Sequence, residues 1–371
     1  MNIDEQLKQI LKFGEGSTFF SFRNTDGKRW LIPAHNMRTA MNLYQPSGIK
    51  GKLLKWGLPW LFWNPVVRKV LHAERIQLAL SDELRVLLER IFGQQGLEFA
   101  IFGGTPSARQ KITIQISKEQ LILGYCKVTQ NTEIYNLFQR ESHILNKLNH
   151  LNVPNIPTSL FCGVYANFFL FIQSTKKTCN SKVIHIWTKK HTVYLELLYQ
   201  KTKLELKFEN TDFYLELKYL ESVLEKQTKE AKDLFKYAIC VLKKHYSTIS
   251  DFSFFHGDFT PWNIFFEKGQ ICVFDFEYAQ NSFPPYLDRI HYIMQVWIIE
   301  HKLNAEQIFI HLEKLRLQNE IEIIQIIAYL TYILSFYIKL YHGNFSSNDN
   351  GYIIWSSLLK KYITIYDKTK A

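Results

Sequence analysis

His256-Gly257-Asp258-Phe259-Thr260-Pro261-Trp262-Asn263, with Asp275-Phe276-Glu277 beginning twelve residues after the Asn, is the stretch on which the reading of this chain turns. Phosphoryl transfer from ATP needs a carboxylate to orient the attacking hydroxyl, and oxygen ligands that hold magnesium at a fixed distance from it. Asp258 and Asn263 stand five residues apart, so a tight loop turns both side chains toward one cavity. Residues 264–266 read as a strand, 267–270 as a hairpin turn and 271–274 as the returning strand, which delivers Asp275 back beside Asn263. Asp258 is then the base, and Asn263 and Asp275 are the metal ligands.

This run resembles the catalytic loop and metal-binding segment of the choline kinase and aminoglycoside phosphotransferase superfamily, small-molecule kinases with a protein-kinase-like fold. The continuation Asp275-Phe276-Glu277-Tyr278-Ala279 resembles the choline-kinase branch more than protein kinases, which carry Gly where Glu277 stands. The resemblance covers residues from about 97 to about 345. It implies an α+β, bilobal protein-kinase-like fold with a small β-rich N-lobe over 93–174 and a mainly helical C-lobe over 175–371. An N-terminal extension over 1–92 precedes these, and 183–213 reads as a small insertion. The activity it implies is that of a kinase using ATP and Mg2+.

A kinase needs a strand lysine for the ATP phosphates and a helix glutamate to hold it. The apolar, β-prone segment 121–128 carries Lys127 near its end, and 132–148 repeats apolar residues at helical spacing. Glu141 falls on that apolar stripe, where a carboxylate is costly unless paired, and Lys127 lies fourteen residues upstream. Either Glu141 pairs with Lys127 or it reaches solvent at the edge of the stripe; pairing explains both residues. Ahead of them, 99–102 and 111–116 read as strands joined by a turn, where the backbone amides of Gly103, Gly104 and Ser107 could cradle phosphates. Any hairpin turn favours Gly-Gly, so only the position before the Lys127 strand points to phosphate. By resemblance, the buried strand 168–173 runs into the inter-lobe hinge, with Gln173 near the adenine.

His256 invites a general-base reading. In a loop of this type, however, the residue before Gly-Asp bonds the backbone, so His256 is read as structural. Glu277 is either a further magnesium ligand or an acceptor for groups around the ion. By resemblance Asp288 braces the catalytic loop, although an Asp opening a helix has an ordinary use at that dipole end as well.

The chain has 371 residues, 47% of them hydrophobic and 15% aromatic, which suits large cores and argues against disorder. Five scattered cysteines without CxxC spacing indicate neither a disulfide framework nor a zinc site, and no signal peptide opens the sequence. A cytoplasmic protein, peripheral to the membrane at most, is expected. The apolar run 323–338 reads as a buried helix shorter than a membrane span. Net charge is +11, and residues 1–95 hold 14 basic against 8 acidic residues. Within 48–72, Lys50, Lys52, Lys55, Arg68 and Lys69 flank Trp56, Trp60 and Trp63, a composition suited to an anionic membrane surface. Gly57, Pro59 and Pro65 interrupt any continuous helix there, so a packed cap with a solvated basic rim fits equally. No nucleic-acid fold appears. The basic balance disfavours polycationic aminoglycosides and leaves a neutral or anionic hydroxyl acceptor: a sugar, a glycan or lipid-linked intermediate, or an amino alcohol. A nucleotide-binding pseudokinase scaffold and a protein kinase are the competing readings.

Overall fold

A hairpin turned by Asn24-Thr25-Asp26-Gly27 joins β1 (Leu11–Arg23) to β2 (Arg29–Pro33), with Phe22 opposite Trp30. Gly27 takes φ +75°, and the Asn24 side chain accepts the Lys28 amide at 2.9 Å, so the turn is closed by its own residues. The computed structural model describes residues 3–45, 49–107, 109–343 and 349–369. Gly48 of the tryptophan-rich segment and Ala108 of the glycine turn fall outside the described residues.

The chain forms two compact units, Met1–Val183 with Phe265–Glu277, and Ile184–Ile264 with Tyr278–Ala371. The first is built on an antiparallel sheet of eight strands. After β1 and β2 come β3 (Glu74–Leu80), β4 (Glu98–Phe102), β5 (Ile112–Lys118), β6 (Leu121–Thr129), β7 (Ser159–Tyr165) and β8 (Phe168–Ser174), in the order β3-β1-β2-β4-β5-β6-β8-β7. Its helices are α1 (Ile3–Ile10), α2 (Met37–Ala40), α3 (Ile49–Leu61), α4 (Pro65–Val70), α5 (Asp82–Phe92) and α6 (Thr132–His150).

The boundary expected at residue 92 is therefore corrected. Strand β2 pairs with β4, Trp30 opposite Phe102 and Leu31 opposite Ile101, so the extension and the N-lobe share one sheet. Gly93 reads as punctuation only because it closes α5 in the left-handed conformation at φ +64°. The far boundary differs as well: the first unit runs to Val183, beyond the limit expected at residue 174.

Side chains alternate across a strand, so each face of the sheet has its own cover. One face presents Ile112, Ile114, Ile116, Cys126, Val128 and Ile172 to Leu7 and Ile10 of α1 and Leu84, Leu87 and Leu88 of α5. The opposite face presents Phe20, Phe22, Trp30, Ile32 and Ala100 to Met37, Met41, Tyr44, Leu58 and Phe62. Lys127 and Phe171 belong to this second face, where Phe171 meets Phe138 of α6 with ring centroids 5.9 Å apart.

The second unit is mainly helical: α7 (Lys189–Thr202), α8 (Asp212–Ser222), α9 (Lys229–Tyr246), and later α10 (Leu287–Gln295), α11 (Ala305–Leu317), α12 (Ile323–Leu340) and α13 (Asn350–Lys368). The segment 183–213 supplies α7 and β9 (Leu204–Glu205), which pairs with β10 (Asp251–Phe255). Helix α9 begins afresh after α8, because Thr228 caps it by accepting the Ala231 amide. Helix α12 runs two residues further than expected, to Leu340, and has the length and apolarity to cross a membrane. Two thirds of it is buried inside the unit, as in a core helix. The catalytic hairpin is β11 (Ile264–Glu267) and β12 (Gln270–Val273), turned by Lys268 and Gly269, both at positive φ. Strand β13 (Gln280–Phe283) then pairs with β10.

Candidate active site

In the first unit the site residues gather around Lys127. Lys127 stands opposite Thr113 and Phe171 in the sheet, and its stem runs off the face that α6 covers. Its ammonium lies 2.6 Å from Glu141 Oε2 and 2.7 Å from Asp275 Oδ1. Burial alone would lower the Lys127 pKa, but Asp275 and Glu141 hold the ammonium above its ordinary range. Glu141 is fully buried on α6. Burial pushes its carboxyl up, Lys127 pulls it back, and its second oxygen accepts the Phe276 amide at 3.4 Å. The pairing read from the apolar stripe is present.

Asp275 adopts φ +67°, a conformation that β-branched and bulky residues avoid and that aspartate tolerates. It stands two residues past the end of β12, close to the hairpin. Glu277 forms an ion pair with Lys111 at the start of β5. Carboxylate oxygens of Glu141, Asp275 and Glu277 lie within 4.8 Å of one another. Three carboxylates against two ammoniums leave one negative charge in a mostly buried cluster, and hard oxygen donors suit a small divalent cation. The donor set therefore fits magnesium, with Asp275 and Glu277 the half-buried members, since Glu141 is committed to Lys127.

The glycine turn departs from the expected phosphate cradle. The Gly103 amide donates to Arg29 O at 2.8 Å, as part of the sheet, so it is spent. The Gly103 carbonyl accepts from Gln110 Nε2 at 2.8 Å. Gly104 is required by close approach: at φ +79° an added Cβ would stand 2.3 Å from Lys111 O. The Ser107 hydroxyl is engaged locally, with Thr105 O at 3.3 Å and the Arg109 amide at 3.2 Å.

Gln173 is buried on β8, in a cross-strand row with Tyr125 and Gln115 two residues along from Lys127. Gln115 Oε1, the Tyr125 hydroxyl and Gln173 Oε1 are buried with no hydrogen-bond partner among the described residues. Gln115 Nε2 donates to Thr39 O of α2 at 3.0 Å. Sequence reading singled out Gln173 but not Tyr125 and Gln115, whose place beside it only strand register reveals.

In the second unit the loop 256–263 is held by Asp288. Asp288, in the first turn of α10, accepts the His256 amide at 2.8 Å and the Gly257 amide at 3.2 Å. Burial pushes the Asp288 carboxyl up to about 7, against the pull of the two amides and of His291. His256 is fully buried, and its Nδ1 accepts the Asp258 amide at 3.2 Å, the structural use expected of it. Gly257 sits at φ +79°, where a Cβ would meet Tyr278 O at 2.7 Å.

Asp258 is fixed on both carboxylate oxygens. Asn263 Nδ2 donates to Oδ2 at 2.7 Å and to the Asp258 carbonyl at 3.1 Å. His291 Nε2 approaches Oδ1 at 3.4 Å, while the Tyr329 hydroxyl lies 3.3 Å from His291 Nδ1. His291 was not singled out from the sequence; its place three residues after Asp288, on one helix face, is the signal that would have found it. Asn263 belongs to the second unit and Asp275 to the first, so each half of the expected metal site is set within its own unit.

Residues 200–286 match the family described as Phosphotransferase enzyme family (APH), a stretch containing Asp258, Asn263, Asp275 and Glu277. No curated protein matches the chain. Among solved structures it is similar to choline kinase LicA from Streptococcus pneumoniae, at 14% identity and TM-score 0.49, covering 77% of this chain and 100% of that one. A thermostable mutant of aminoglycoside phosphotransferase APH(4)-Ia, in ternary complex with ADP and hygromycin B, matches at 11% identity and TM-score 0.49, covering 76% and 98%. The GDP complex of wild-type aminoglycoside 2'-phosphotransferase-IIIa matches at 11% and 0.45, covering 77% and 100%. With an antiparallel sheet followed by a mainly helical part, the chain has an α+β architecture, and its residues 200–286 are similar to the Phosphotransferase enzyme family (APH).

Proposed function

We propose that this chain transfers the γ-phosphoryl group of ATP, with magnesium, to a hydroxyl of a small molecule or of a glycan or lipid-linked intermediate. The observation that carries the reading is Lys127, held at 2.6 Å from Glu141 and 2.7 Å from Asp275. A buried lysine shared by two carboxylates is costly to build unless its ammonium has a task. Holding ATP phosphates beside a magnesium ligand is the task that this arrangement fits.

In this reading Asp258 accepts the hydrogen of the acceptor hydroxyl. Asn263 and His291 hold its two oxygens in one orientation, and Asp288 clamps the loop that presents it. Asn263, Asp275 and Glu277 are the residues that would hold magnesium; when bound, the ion offsets the charge of the phosphates and orients them. Gln115, Tyr125 and Gln173 offer buried acceptor oxygens to the amino group of a nucleobase. The net charge of +11 favours a neutral or anionic acceptor over a polycation.

The test is a magnesium-ATP consumption screen across sugars, amino alcohols, aminoglycosides, glycan precursors and a peptide array. We expect one hydroxyl class outside the aminoglycosides to accelerate ADP release and to yield a phosphomonoester visible by phosphorus NMR. Turnover with peptides alone would replace the proposal with a protein kinase. Nucleotide binding without turnover on any acceptor would replace it with a scaffold.

A further inference from the structure

Helix α3 is apolar on two opposite sides, and only one of them is covered. Leu58 and Phe62 are fully buried against Phe20 and Phe22. On the other side Leu53, Trp56 and Trp60, spaced three and four apart, are 66%, 81% and 81% exposed, while Trp63, past the end of the helix, is 53% exposed with its ring edge-on to Phe20 at 5.7 Å. Helix α4 continues the surface: none of its residues is buried, and Val66 and Val70, four apart, are 70% and 72% exposed.

The corner between the two helices is built rather than loose. Asn64 caps α4 by accepting the Val66 amide at 2.9 Å, and Pro65 occupies its first turn. Arg68 Nη1 donates to the carbonyls of Phe62 at 2.8 Å and Trp63 at 3.1 Å, clipping α4 back onto the end of α3. The helix passes through Gly57 and Pro59, where the sequence suggested interruption, and so carries Trp56 and Trp60 on one side. Folded monomers rarely expose a contiguous apolar surface of this kind without a partner for it.

Charge says which partner. Between Asp26 and Glu74 the chain holds eight lysines and arginines and no acidic residue. Exposed tryptophan rings, aliphatic residues beside them, and two helices whose sequence carries Lys50, Lys52, Lys55, Arg68 and Lys69 without a carboxylate match in composition the interface of an anionic bilayer.

We propose that α3 and α4 form a monotopic docking surface that seats this protein on anionic membranes. The surface lies wholly within the first unit and does not depend on the phosphotransferase reading.

The test is flotation of the full chain with phosphatidylcholine vesicles, with and without 30 mol% phosphatidylglycerol, the mole fraction being an order-of-magnitude choice, roughly one third anionic lipid. We expect binding to the anionic vesicles only, a blue shift of tryptophan emission, and release as salt shortens the screening length. The double variant Trp56→Ser/Trp60→Ser should lower vesicle affinity at least about tenfold while leaving the melting temperature unchanged, since both rings are exposed. Lys69→Glu should weaken binding with no change in fold. Equal binding to neutral vesicles would overturn the anionic assignment. Absence of vesicle binding overturns the proposal in two recognisable ways: a dimer that Trp56→Ser/Trp60→Ser dissociates in sedimentation velocity marks a second copy as the occupant, and binding of an anionic oligonucleotide marks a nucleic acid.

Discussion

In the proposed phosphotransfer Lys127, Glu141 and Asp258 each have a separate task, and each should fail differently when changed. Glu141→Ala leaves a buried ammonium with one partner fewer, and loss of one member of a buried pair costs about 3–5 kcal/mol. We expect that loss in urea denaturation, and we expect the double change Lys127→Met/Glu141→Leu to recover most of the stability while nucleotide affinity stays lost. Recovery of both, or of neither, would contradict the division between structure and function at this pair. Asp288 gives a pH test. Burial raises its carboxyl from 3.8 to about 7, so the folded state holds this proton more tightly than the unfolded state does. The resulting stabilisation is complete below about pH 4 and is lost as pH rises toward 7. Asp288→Asn does not titrate, so the stability gap between variant and wild type should move in the variant's favour by a few kcal/mol, an order-of-magnitude figure, across that range. A gap independent of pH would mean that the carboxyl is ionised throughout. The pair was legible because a carboxylate on an apolar stripe demands a cation. His291 on Asp258 and Lys111 on Glu277 were not, since their partners are 33 and 166 residues away.

At the scale of elements, the β11–β12 hairpin and the catalytic loop are the parts whose sequence dictates their shape. Lys268-Gly269 permits the two positive-φ positions of a tight turn, and apolar runs on each side supply the strands. Gly257 has no alternative residue: φ +79° and a 2.7 Å approach to Tyr278 O exclude a Cβ. Gly257→Ala should cost about 1–3 kcal/mol from backbone strain and lower turnover more than nucleotide affinity. An alanine variant of wild-type turnover would mean that the loop is not held in this form. Where reading failed, the cause was tertiary. Gly103 belongs to a phosphate-loop composition, yet the edge of β2 takes its amide, and no local pattern announces an added strand. Proline and glycine in α3 were read as breaks, but packing of Leu58 and Phe62 carries the helix across them.

For the whole chain, the extension is part of the first unit's core rather than an appendage. A chain beginning at residue 93 would bare the β4 edge and the sheet faces that α1, α2, α3 and α5 cover. We expect such a chain to be insoluble or aggregated on expression, because unpaired edges over apolar faces associate. A soluble monomer with a cooperative melt would show that the extension is dispensable. The central claim is phosphoryl transfer through Asp258, and the most direct measurement compares magnesium-ATP turnover with nucleotide affinity in wild type and Asp258→Asn. We expect turnover to fall by about 10²–10⁴-fold, the range for removing a general base, with ATP affinity changed by no more than a few-fold. Turnover that survives Asp258→Asn, or that falls only in step with ATP affinity, would contradict it.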